Sequence, residues 1–161
     1  FNPIGAHESG LIGEHSLTKI NNLFPEICEV AAGIKNELKV YGNDWPTKDG
    51  TPIRDFVHVM DIAAGHINAM KYLVSSNGTY ISLNLGTGKK TTVLELIKIF
   101  EKVNGLSINY SFSSKRKGDP CMLIADINLA KKLIYWNPKR SLEEMCIDGW
   151  RYYFSNMKNQ E

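Results

Sequence analysis

Apolar residues recur every three or four positions at Ile27, Val30, Ala31 and Ile34, the spacing of one helix face, and predict a helix over 22–34. Pro25 falls in its first turn, where a missing N–H is tolerated. Leu38 to Tyr41 is a short strand-like run, and GNDWPTKDGT (42–51) after it is dense in turn formers. Residues 57–59 read as a second short strand, and Asp61 as the cap of a helix carrying Ile62, Ala63, His66, Met70, Leu73 and Val74. A further apolar run over 80–85, read as a strand, ends in Gly86-Thr87-Gly88. Thr92 with Glu95 then forms a capping box that opens a helix. Residues 106–112 predict a strand, 113–119 a basic loop, and 126–134 and 141–154 helices, the second opened by another capping box, Ser141 with Glu144. Residues 1–22 are rich in Gly, Asn, Pro and His and read as a strand end followed by an irregular loop; loops of that length in a compact domain are usually functional. Strands alternating with helices give an α/β or α+β fold.

Composition narrows the function classes. The 161 residues are 43% hydrophobic and 22% charged, ordinary for one core, and the formal charge of +2 is too small to concentrate a field on nucleic acid. Cys28, Cys121 and Cys146 are widely spaced and odd in number, which argues against a disulfide framework or a zinc site and fits a reducing cytoplasm. No apolar run approaches the roughly 20 residues that span a bilayer. The sequence opens at Phe1 without a signal-peptide pattern and is expected to be a fragment.

Candidate chemistry lies in a few places. Arg54 precedes a short strand, where a rigid scaffold can aim its guanidinium, and a planar fork of donors matches a diphosphate. Lys115-Arg116-Lys117-Gly118-Asp119 can add a second arginine and a carboxylate for ribose hydroxyls; isolated, such residues are usually solvated surface charges. Asn2, Asn21 and Asn22 suit sugar and phosphate oxygens, and suit helix caps equally well. The strand ending at Tyr41 can offer a ring to stack on a base and main-chain groups for its edge, or can simply be core. Gly86-Thr87-Gly88 has the look of a phosphate cradle, yet Thr91 stands where a dinucleotide fingerprint needs glycine, so a tight turn is the preferred reading. Catalytic groupings are missing: His7-Glu8 lacks the second histidine of a zinc motif, and Pro138 interrupts the Tyr135 and Lys139 pair. Trp136 is expected to be packing, and His58 and His66 structural.

Together, FNPIGAHESGLIGE, NNLFPEICEVAAG, LKVYGNDWPTKDGTPIRDFVHVMDIAAGHINAM, LNLGTG with VLELI, and KRKGDP with IAD resemble UDP-glucose 4-epimerases, from mid-chain to near the end, over about residues 1–154. The resemblance implies the C-terminal part of an extended short-chain dehydrogenase/reductase. That part is a substrate-binding lobe plus the last strand–helix elements of a Rossmann-type NAD domain, the NAD-binding portion being absent. Residues 1–4 and about 80–104 would pack on that portion, and 5–79 and 105–155 would form the lobe. The implied reaction interconverts UDP-glucose and UDP-galactose by hydride transfer at sugar C4 through a 4-keto intermediate with bound NAD. Its catalytic Ser or Thr, Tyr and Lys are expected upstream of Phe1, in a cytoplasmic homodimer. By the same resemblance Phe1 meets the nicotinamide, while Asn2, Asn22, Leu23, Lys39, Val40, Tyr41, Arg54, Phe56, Arg116 and Asp119 bind the nucleotide sugar. Phe56 stands where many relatives carry tyrosine, Lys90 where glycine is frequent, and Leu123 near a position that affects N-acetyl sugars. A UDP-N-acetylglucosamine 4-epimerase and a free-standing UDP-binding module are the alternatives. Parted from the rest of a parallel sheet, Val93, Leu96, Ile97 and Phe100 are expected to form an exposed apolar patch, and the chain alone is expected to be inactive.

Overall fold

In the computed structural model, which describes residues 1–14, 22–76 and 80–158, strands and helices alternate as the pattern requires. The first elements are β1 (Asn2–Ile4), α1 (Leu23–Ala31), β2 (Leu38–Tyr41), β3 (Ile53–Arg54), β4 (Phe56–His58) and α2 (Val59–Ser75). They are followed by β5 (Thr91–Thr92), α3 (Val93–Asn104), β6 (Tyr110–Ser113), β7 (Met122–Leu123), α4 (Asn128–Ile134) and α5 (Leu142–Lys158). The strands form three small sheets: β1 beside β4 in parallel, β2 beside β6 in parallel, and β3 between antiparallel β5 and parallel β7.

Two apolar clusters hold these elements. The larger joins α1, β2, α3 and α5, with Ile27, Leu96, Ile97 and Phe100 fully buried. Phe100 meets Phe24 and Trp150 edge-on, each with ring centroids 5.9 Å apart, an arrangement aromatic quadrupoles favour. The expected apolar patch on α3 is therefore not exposed: Val93, Leu96, Ile97 and Phe100 are 8%, 0%, 0% and 0% accessible. Helix α5 and helix α1 supply the cover that the pattern had assigned to an absent sheet. The smaller cluster packs Val57, Ala125, Ile134 and Trp136 under α2.

The capping boxes form as predicted. Thr92 Oγ1 accepts from Glu95 N at 3.2 Å while Glu95 reaches back to Thr92 N at 3.3 Å, and Ser141 and Glu144 do the same at 3.1 and 2.7 Å. Three expectations need correction. Residues 80–85 form no strand, because among the described residues no neighbouring strand pairs with them; Leu83 and Leu85 instead pack on the smaller cluster. Helix α2 begins before Asp61, with His58 as its cap: His58 Nδ1 accepts from Met60 N at 3.1 Å. Of the apolar residues read on α2, Ile62 packs on the smaller cluster, but Met70 and Val74 point outward, 67% and 84% accessible. Helix α2 also packs through Gly65, where an added Cβ would come 2.7 Å from Leu85 and 3.0 Å from the Trp136 indole.

Candidate functional site

The open ends of β1 and β2, the start of α1, and β3 with the 113–120 loop surround a cleft of about 210 Å³. All ten residues assigned to the nucleotide sugar line it: Asn2, Asn22, Leu23, Lys39, Val40, Tyr41, Arg54, Phe56, Arg116 and Asp119. Phe1 is not among them and is 43% accessible; Asn21 lies outside the described residues. Leu123 sits opposite Arg54 on β7 but does not line the cleft. A larger cavity of about 810 Å³ between α1, α2 and α5 shares only Asn22 with the predicted set.

Each side chain has a local reason for its place. Arg54 is fixed: its Nη1 donates to the carbonyls of Ile53 and Pro120 at 2.9 and 3.0 Å, and its Nη2 lies 3.7 Å from the Asp119 carboxylate. Arg116 rides on the basic loop, its guanidinium carbon 3.8 Å from the centroid of the Tyr41 ring. Lys115 anchors that loop, 3.0 Å from the Asp44 carboxylate and 4.4 Å above the Trp45 ring. Trp45 can lie there because Gly42, at φ 85°, has no Cβ to strike its indole nitrogen, which an added Cβ would approach to 2.4 Å.

Among the described residues, strand β2 has β6 on one side only. Leu38 N donates to Asn109 O and Gly42 N to Ser113 O toward β6. In a parallel ladder alternate residues face opposite sides, so the main-chain groups of Lys39 and Tyr41 point to the free edge. The Lys39 ammonium is engaged elsewhere, with Glu37 at 2.5 Å and Ser111 at 2.8 Å, which leaves its backbone as its contribution. Asn22 is the N-cap of α1 but makes no side-chain cap bond. Among the described residues the buried Asn2 amide nitrogen has no hydrogen-bond partner, a condition native structures seldom leave unmet.

The glycine turn is no phosphate cradle. The buried Asp55 carboxylate fills it, accepting from Thr87 N at 2.7 Å, Gly88 N at 2.9 Å and, from across the fold, Ala125 N at 3.1 Å. Tyr135 is 86% accessible and left-handed at φ 51°, while Trp136 is buried with its indole N–H donating to Asp61 O at 2.8 Å. The Tyr135 and Lys139 pair is thus no dyad. Asp61 is an anchor, its carboxylate accepting from the backbones of Lys139 and Arg140 and from the Arg140 guanidinium at 2.7 Å. The thiols of Cys28 and Cys146 are buried, and burial pushes Cys146 up to about 12, which suits packing rather than reactivity. Among the described residues no group of three metal-ligating side chains occurs, and no helix is long and apolar enough to cross a membrane.

His58 is fully buried, and burial pulls it below its ordinary pKa of about 6.5; the Asp148 carboxylate 3.4 Å away opposes the shift and Arg140 adds to it. A histidine that binds its proton less readily when folded contributes stability that is complete above the unfolded pKa. That contribution is lost as pH falls toward the folded value. The melting temperature is therefore expected to drop as pH falls from about 7 through 6, by less in His58→Asn, as followed by circular dichroism; equal profiles would exclude His58 as the cause.

The chain belongs to the GDP-mannose 4,6-dehydratase family, whose sequence profile matches residues 1–148. Within it the chain is similar to UDP-glucose 4-epimerases. The Bacillus subtilis UDP-glucose 4-epimerase is 48% identical over 157 residues, 98% of this chain and 46% of that protein. The enzyme from Stenotrophomonas maltophila, crystallised with NAD and formylated UDP-arabinopyranose, superposes with TM-score 0.95 at 41% identity, covering 99% of this chain and 47% of its own. That from Bifidobacterium longum, with NAD+ and UDP, gives TM-score 0.88 at 37% identity, covering 98% and 46%. The chain spans about half the length of the curated relatives it matches, and its α/β fold is that of part of a Rossmann-type epimerase.

Proposed function

We propose that the chain is the nucleotide-sugar-binding part of a UDP-glucose 4-epimerase, which interconverts UDP-glucose and UDP-galactose by hydride transfer at sugar C4 through a 4-keto intermediate. The observation that carries this reading is the convergence of all ten predicted residues on one cleft. In it Arg54 and Arg116 grip the diphosphate, and the free edge of β2 at Lys39 and Tyr41 meets the uracil edge. The Tyr41 ring meets the uracil face, and Val40, Leu23 and Phe56 wall the site. Asp119 takes a ribose hydroxyl. Asn2 and Asn22 present amides to sugar and phosphate oxygens, and a ligand oxygen would satisfy the buried Asn2 nitrogen.

The described residues do not fit a dinucleotide cradle, since Asp55 occupies the 86–88 turn. In this reading NAD, the hydride carrier, is held by the part of the protein preceding Phe1, with Phe1 as this chain's contact to the nicotinamide. The same part holds the catalytic Ser or Thr, Tyr and Lys of a cytoplasmic homodimer. This chain's residues bind and orient the substrate.

Calorimetric titration with UDP, with CDP as control, tests the reading. Selective UDP binding is expected, weakened at least about tenfold by Arg54→Ala, the size of a lost hydrogen bond to a charged group. Equal binding of UDP and CDP, or unchanged affinity in Arg54→Ala, would contradict it.

A further inference from the structure

Arg54 and Arg116 line one cleft but are held very differently. Arg54 is 15% accessible and tied to two carbonyls and a carboxylate. Among the described residues the Arg116 guanidinium makes no hydrogen bond or ion pair; its partner is the Tyr41 ring, 3.8 Å away. That separation is van der Waals contact between two flat groups, so no base can slip between them. Arg116 and Tyr41 both line the cleft, so their contact forms part of its wall.

On the reading proposed above, Tyr41 stacks on the base and Arg116 binds the diphosphate, and the first task requires Arg116 to leave the ring. We propose that Arg116 gates the base-stacking face of Tyr41: it covers the ring until a diphosphate draws the guanidinium away, so the cleft selects nucleoside diphosphates and discriminates against nucleosides. The energetic scale fits a gate. Arg116 is exposed, and an exposed cation–π contact is weak enough for a charge-assisted hydrogen bond to phosphate to outweigh it. The anchoring of Lys115 on Trp45 and Asp44 keeps the loop in place while the next side chain swings.

The gate gives two ligands responses of opposite sign. Uridine and UDP are titrated against the wild-type chain, Arg116→Ala, Arg116→Lys and Tyr41→Leu, each shown to be folded by its near-ultraviolet circular dichroism. Arg116→Ala is expected to bind uridine about two- to fivefold more tightly, the size of the lost stack, and UDP at least about tenfold more weakly. Arg116→Lys is expected to share the uridine gain and lose less UDP affinity, and the gain should vanish when Arg116→Ala is combined with Tyr41→Leu. Uridine affinity unchanged or lowered in Arg116→Ala, with UDP weakened, would leave Arg116 a diphosphate contact and overturn the gate alone. A wild-type chain that binds no UDP would overturn the functional reading and the gate together.

Discussion

Asp55→Asn is expected to cost about 3–5 kcal/mol of folding stability although it changes no volume and no exposed charge. Asp55 is 0% accessible. One carboxylate oxygen accepts from Thr87 N and Oγ1 at 2.7 and 2.5 Å, and the other from Gly88 N and Ala125 N at 2.9 and 3.1 Å. A carboxamide has one accepting end. Whichever way it turns, its NH2 faces two donors, and at least one backbone N–H loses its partner while donor meets donor. Each buried group left unsatisfied costs about 1–3 kcal/mol, and the repulsion adds to that. Space offers no relief, for an added Cβ on Gly86 would already lie 2.6 Å from this carboxylate. The cleft is affected too: Asp55 separates β3, which carries Arg54, from β4, and its carbonyl accepts from Asn2 N at 2.9 Å. Urea denaturation measures the loss, and a cost below about 1 kcal/mol would mean that water takes over these hydrogen bonds.

What the sequence revealed and what it concealed divide along the range of the interactions. Pro25 lies in the first turn of α1 and both capping boxes close, because each depends on neighbours within four positions; strand β2 forms over the predicted residues, though its partner β6 lies far along the chain. That these candidate residues share one cleft was legible only through family resemblance. Nothing in the spacing of Arg54 and Arg116 brings them together; the pairings of β3 with β7 and of β2 with β6 do so. Asp55 and Asp61 gave no local sign of their roles, since their partners lie 32 to 70 and 78 to 79 positions away. The run over 80–85 shows the reverse failure. Its alternation is strand-like, but a strand is a ladder with a neighbour, and periodicity in one segment cannot supply the second. On α2 the outward turn of Met70 and Val74 was misread, because Gly65, with no hydrophobicity to register, marks the face that packs.

The side on which α3 packs can be decided by one substitution. Phe100→Ala is expected to destabilise the chain by about 3–5 kcal/mol, the usual cost of emptying an aromatic site in a core. The ring is fully buried between Phe24 of α1 and Trp150 of α5, and Leu96 and Ile97 beside it are equally buried. If α3 turned this face outward to a missing sheet, truncation would remove only exposed surface and cost little in the isolated chain. Trp150 supplies a second readout. Its indole also stacks on Tyr153, with centroids 6.1 Å apart, and tilts against Phe154 at 5.5 Å, so losing the Phe100 edge frees one side of an aromatic cluster. The near-ultraviolet circular dichroism of Phe100→Ala should change along with its urea midpoint. A variant that keeps both within error of the parent would place the α3 face outside this core. The expectation that these residues await the rest of a parallel sheet would then be reinstated.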